Sequence, residues 1–157
     1  MTRRRVDVLL VCDPGGHFAE LAQLRAVWGD ATRVWVTPFA EASTELLSDE
    51  RVIIARGPTR RSIRALIANS RLAWRVVRDL RPLVILSTGA GLAVPFAWLG
   101  RFHGARFVYI ECSGRVGISL TGRLIAPIAT RFYVQWPEAA TRVRGGRYAG
   151  SVSFPAS

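Results

Sequence analysis

Short apolar runs alternate along the chain with polar, glycine-bearing turns and with longer stretches of helical spacing. Residues 6–12, 32–37, 51–55, 83–86, 106–110 and 131–135 are compact apolar runs, the pattern of strands buried on both faces. Between them, residues 18–28, 41–47, 61–80, 92–102 and 120–129 read as helices. A short helix at 139–143 and a last strand or extended tail at 148–152 complete the series. Phe18, Leu21, Leu24 and Trp28 share one helical face, Pro95 fits a first turn, and Pro82 ends the long helix. With no internal repeat and no linker, this alternation predicts one Rossmann-like α/β domain over residues 1–157. It has a parallel sheet with helices on both faces, a basic N-terminal extension (1–5) and a tail (151–157). Ligands of such sheets lie beyond the carboxyl ends of the strands. Three polar loops fall there: Asp13-Pro14-Gly15-Gly16-His17, Ser87-Thr88-Gly89-Ala90-Gly91 and Glu111-Cys112-Ser113-Gly114-Arg115.

The helix at 61–80 adds a second theme. Its apolar residues, Ile63, Leu66, Ile67, Leu72, Ala73, Trp74, Val76, Val77 and Leu80, cover one broad arc, and Arg60, Arg64, Arg71, Arg75 and Arg78 take the rest. Such a helix either covers a sheet with its arginines in water or lies on an anionic bilayer with arginine stems snorkelling. Composition sharpens the choice. The formal net charge is +11, and every one of the 22 basic residues is arginine. That excess implies an anionic partner: phospholipid, a pyrophosphate-bearing substrate or nucleic acid. The arginine helix lacks base-stacking aromatics interleaved with its charges, which argues against nucleic acid. Cys12 and Cys112 make no disulfide framework and no metal-ligand spacing. No signal peptide is visible and no apolar stretch is long enough to span a bilayer, so association with a membrane is expected to be peripheral.

Several short stretches, taken in order, resemble one family. They are Gly15-Gly16-His17 with Glu20 and Leu21; Ser87-Thr88-Gly89-Ala90-Gly91 with Val94-Pro95; Tyr109-Ile110-Glu111 with Ser113 and Arg115; Leu120-Thr121-Gly122-Arg123; and Val134-Gln135-Trp136-Pro137-Glu138. The chain is similar to the accessory subunit of a two-component GT-B glycosyltransferase, asparagine-linked glycosylation protein fourteen and its bacterial exopolysaccharide relatives. The resemblance implies the N-terminal, acceptor-side half of a GT-B enzyme. That half would face a polyprenyl-pyrophosphate-linked sugar at the cytoplasmic side of the membrane. A separate catalytic subunit would bind the UDP-sugar, of the UDP-N-acetylglucosamine type. Two features depart from the family: Asp13-Pro14 stands where small residues are expected, and the N-terminal spanning helix of eukaryotic members has no counterpart.

Inverting sugar transfer needs a base on the acceptor hydroxyl. His17 and Glu111 are the candidates, against the alternatives of a turn-capping histidine and a glutamate paired with Arg106 or Arg115. Gly15, Gly16, Ser87, Thr88, Gly89, Gly91 and Ser113 are candidates for acceptor and phosphate binding through N–H and hydroxyl groups, with Arg115 and Arg123 as bidentate donors. Arg64, Arg71, Arg75, Arg78, Phe96 and Trp98 are candidate membrane contacts, and Trp136, Tyr148 and Phe154 candidate partner contacts. No metal or cofactor is expected. The rivals are a complete small nucleotide-binding transferase and a basic nucleic-acid module. The first lacks the acidic residue that closes a second strand to grip a ribose.

Overall fold

The structure, a computed structural model, describes residues 5–38, 45, 47–59 and 62–152. Its strands are β1 (Val8–Val11), β2 (Arg33–Pro38), β3 (Val52–Ala55), β4 (Val84–Ser87), β5 (Arg106–Ile110), β6 (Arg131–Val134) and β7 (Gly146–Tyr148). They form one seven-stranded sheet in the order β3-β2-β1-β4-β5-β6-β7. Every neighbouring pair is parallel. The expected Rossmann-like sheet is present, and the direction of winding reverses between β1 and β4.

Side chains of successive strand residues point to opposite faces, and each face has its own core. Leu10, Cys12, Trp35 and Leu86 pack under α1 (Gly16–Gln23) and α2 (Arg25–Trp28) with Phe18, Leu21 and Trp28. Leu9, Val11, Val34, Ile85 and Phe107 pack on the other side. There they meet α3 (Ile63–Leu80), α4 (Ala93–Phe102), α5 (Leu120–Ile125) and α6 (Pro137–Ala140). Phe96 and Ile125 are among the largest side chains of this second core.

Two predicted helices end early for visible reasons. The helix expected over 18–28 breaks at Leu24, because the Trp28 indole N–H donates to the Leu21 carbonyl (2.9 Å) and competes with the helical ladder. The helix expected over 120–129 stops at Ile125, shortly before Pro127, which has no N–H to continue it. The helix expected over 139–143 lies at Pro137–Ala140, and the last strand is Gly146–Tyr148, sharing only Tyr148 with the strand or tail expected over 148–152. The helix expected over 41–47 falls largely outside the described residues, as do Arg60 and Phe154. No helix among the described residues is long and apolar enough to cross a membrane.

Candidate functional site

A cavity of about 1350 Å3 opens at the carboxyl edge of the sheet. Asp13, Pro14 and His17 line it from the loop after β1, Ala90 and Gly91 from the loop after β4, and Glu111, Cys112, Gly114 and Arg115 from the loop after β5. Ser62, Ile63, Leu66 and Asn69 of the α3 end form one wall, and Ser119, Leu120, Thr121 and Leu124 of the α5 end form another.

The floor is stitched across the point where the winding reverses. His17 Nδ1 lies 2.9 Å from the Thr88 carbonyl oxygen, and Thr88 Oγ1 donates to the His17 carbonyl (2.6 Å). A carbonyl only accepts, so Nδ1 carries the proton. Neutral imidazole then keeps Nε2 as an acceptor. Gly89 makes this contact possible. Its φ is +126°, and a Cβ there would stand 2.9 Å from His17 Cε1 and 3.2 Å from the Tyr109 hydroxyl. Both the backbone conformation and the approach of the ring therefore exclude a side chain.

Glu111 directly follows β5 and is 3 % exposed. Its Oε2 accepts from the Ser119 N–H and from Ser119 Oγ, both at 3.1 Å. Burial pushes its carboxyl above the ordinary range, against the pull of the Ser119 and Cys112 hydrogen bonds and of nearby His17. Ser119 also caps α5 by accepting from the Gly122 N–H (2.9 Å). A Cβ on Gly122 would stand 2.2 Å from Glu111 Oε2, so the bare backbone at Gly122 is what admits the carboxylate. The salt bridge to Arg106 or Arg115 weighed as an alternative is not among the ion pairs of the described residues.

Two further clamps hold the rim. Glu20, buried on α1, accepts at Oε1 from the Ser113 N–H (2.9 Å) and from Ser113 Oγ (2.5 Å). The Thr59 hydroxyl donates to the Asp13 carboxylate, tying the loop after β1 to the loop after β3. Asn69 pins that same loop, exchanging hydrogen bonds with the Arg56 backbone (2.8 and 2.9 Å).

Of the expected site residues, His17, Gly91, Glu111 and Arg115 line this cavity together. Others lie elsewhere. Ser87 and Thr88 are wholly buried, with Ser87 Oγ accepting from the Gly89 N–H (3.2 Å). They hold the floor up and offer no hydroxyl to a ligand. Gly15, which precedes α1, and Gly16, its first residue, are exposed and lie outside the lining. Ser113 spends both donors on Glu20, and its carbonyl accepts from Trp136 Nε1 (2.8 Å). Trp136 is accordingly half-buried against the core, while Tyr148 stays exposed on β7.

Phe96, expected at a membrane, is 0 % exposed and belongs to the core. Trp98, two residues on, is 49 % exposed. Arg64, Arg71, Arg75 and Arg78 are all exposed on α3. Beside them runs an unburied apolar stripe, Ile63, Leu66, Ile67 and Trp74, so the sheet covers only part of the broad apolar arc. Ser119, Tyr109 and Asn69 belong to the site and are not among the residues expected there. Only Ser119 carried a local signal, as a serine just before a helix.

A wholly parallel sheet reversing beside its first strand, with a large cavity at the carboxyl edge, defines a Rossmann-like unit, consistent with one half of a GT-B fold. The solved structures it resembles agree. Acinetobacter baumannii MurG superposes with a TM-score of 0.71 at 14 % identity, covering 96 % of this chain and 47 % of that one. A UDP-N-acetylglucosamine 2-epimerase from Rickettsia bellii superposes at 0.73 and 11 % identity, covering 96 % and 46 %. The chain thus spans about half the length of these structures. The chain belongs to the family described as "Oligosaccharide biosynthesis protein Alg14 like", which it matches over residues 54–152. Among curated relatives, the UDP-N-acetylglucosamine transferase subunit ALG14 of Debaryomyces hansenii is 27 % identical, covering 94 % of this chain and 76 % of the relative. The Schizosaccharomyces pombe subunit of that name is 40 % identical over 46 % of this chain and 37 % of its own length.

Proposed function

We propose that this chain is the acceptor-side subunit of a UDP-N-acetylglucosamine-type transferase that builds lipid-linked oligosaccharide or polysaccharide. It is active only with a separate donor-binding subunit. The observation that carries this reading is the two-sided character of the cavity. His17 and the buried Glu111 stand at its polar floor, while Ile63, Leu66, Leu120 and Leu124 line its rim and are themselves exposed. A molecule with a sugar at one end and a hydrocarbon chain at the other suits such a wall. Ile63 and Leu66 also begin the apolar stripe of α3, and the exposed arginines of that helix flank the stripe. This is the profile of a helix that lies on an anionic bilayer. The names of the relatives, transferase subunits, support a catalytic partner.

In the assembled enzyme, Nε2 of His17 removes the proton of the acceptor hydroxyl as its oxygen bonds to the anomeric carbon of the donor. The bond from that carbon to the UDP oxygen breaks, UDP leaves with the electron pair, and the configuration inverts. Thr88 fixes the tautomer that leaves Nε2 available. Glu111, on the same floor, holds a hydroxyl of the acceptor sugar.

The test is transfer from labelled UDP-N-acetylglucosamine to membrane lipid by this chain co-purified with a donor-binding subunit. His17→Ala is expected to lower kcat roughly 100-fold or more. The isolated chain is expected to give no transfer, and turnover without any partner would refute the reading.

A further inference from the structure

A second, smaller cleft of about 430 Å3 lies beside the main cavity, lined by Arg115, Gly117, Ile118, Arg123 and Arg142. Its polar lining is cationic. The ion pairs among the described residues are Arg33–Glu50 and Arg78–Asp79, and neither reaches this cleft. The Arg142 guanidinium lies over Gly117, its Nη1 3.8 Å from where a Cβ on that glycine would stand. Guanidinium groups gathered in one concavity repel each other unless an anion sits among them. Their forked donors match a phosphate.

The location narrows the ligand. Arg115 lines both this cleft and the main cavity. Arg123 sits on α5 between the exposed Leu120 and Leu124, which form the apolar rim. A molecule whose phosphate sat here would have its apolar part beside that rim.

We propose that Arg115, Arg123 and Arg142 form a phosphate subsite for a membrane-borne ligand. The phosphate is either the headgroup of an acidic phospholipid or the pyrophosphate of a lipid-linked sugar. The identity of the ligand as membrane-borne rests on the proposed function. The existence of the anion site does not.

The experiment uses the full chain without a partner. Inorganic pyrophosphate binding is measured by calorimetry, and vesicle binding is measured on phosphatidylcholine with and without phosphatidylglycerol. Arg123→Ala and Arg142→Ala should each weaken pyrophosphate binding at least roughly tenfold, the effect of losing one charge-assisted hydrogen bond. Arg142→Lys should lose less. Arg106→Ala, at the opposite edge of the sheet, should match the unaltered chain. If phosphatidylglycerol binding falls in parallel, the ligand is the phospholipid headgroup. If it holds while pyrophosphate binding falls, the ligand is the pyrophosphate of a lipid-linked sugar. Arg142→Ala binding both probes like the unaltered chain overturns the proposal, and so does Arg106→Ala losing as much. Since no transfer is measured, failure of the transferase reading leaves this result standing, and the reverse also holds.

Discussion

The Glu111 carboxylate is pulled two ways. Burial opposes its charge, while Ser119 donates two hydrogen bonds that favour it, and burial prevails. The folded chain therefore holds the Glu111 proton more tightly than the unfolded chain, whose value is near 4.5. Stability from this group is complete below about that pH and is lost as pH rises through the higher folded value. Glu111→Gln removes the titration. The melting-temperature advantage of the unaltered chain over this variant should shrink as pH is raised from 4.5 towards neutrality, read by circular dichroism at successive pH values. A constant difference would show an ordinary carboxylate. His17 and Glu111 were legible as single residues because a strand end followed by a polar residue is a local pattern. Their partners were not. Tyr109, Gly89 and His17 converge from three separate loops and strands, and only the folded sheet brings them together.

At the scale of elements, α3 shows where helical periodicity succeeds and where it stops. Its extent and its arginine sector follow from spacing and from the Ser62 cap, whose Oγ accepts from the Ala65 N–H (3.1 Å). Spacing does not say how much of a broad apolar arc the sheet can cover. Ala65, Ala73, Val76 and Val77 are buried, while Ile63, Ile67 and Trp74 remain outside. The same ambiguity misplaced Phe96, because a short helix that is apolar nearly all round does not reveal its inner side. The exposed stripe gives a clean test. Ile67→Asn combined with Trp74→Asn should weaken anionic-vesicle binding by about tenfold. Ile67→Asn should change stability by about 0.5 kcal/mol or less, while Trp74→Asn also gives up the edge-on ring contact with His103 and should cost about 0.5–1.5 kcal/mol more. Vesicle sedimentation and chemical denaturation check the two halves. Arg71→Ala or Arg75→Ala should each remove about 1 kcal/mol of vesicle binding.

Over the whole molecule, charge and topology divide the work. The fold class was legible because parallel strands buried on both faces leave apolar runs that few other architectures produce. The strand order was not, since pairing β1 with both β2 and β4 is decided by crossovers far apart in sequence. That pairing is what sets His17 beside Thr88 and creates the floor of the cavity. The net charge of +11 belongs to this scale too. Vesicle binding should fall steeply as salt rises from about 0.05 to 0.5 M, because the Debye length contracts below the spacing of surface charges. Binding that ignores salt would assign the contact to apolar insertion alone.

Glu20 and His17 stand on adjacent turns of α1, and Glu20 grips Ser113 within the loop that carries Arg115. Helix and loop are thereby coupled as the two arms of one lever, with the imidazole on one arm and a guanidinium on the other. A ligand drawing on Arg115 would load the Ser113 anchor first, and through it the helix that presents His17.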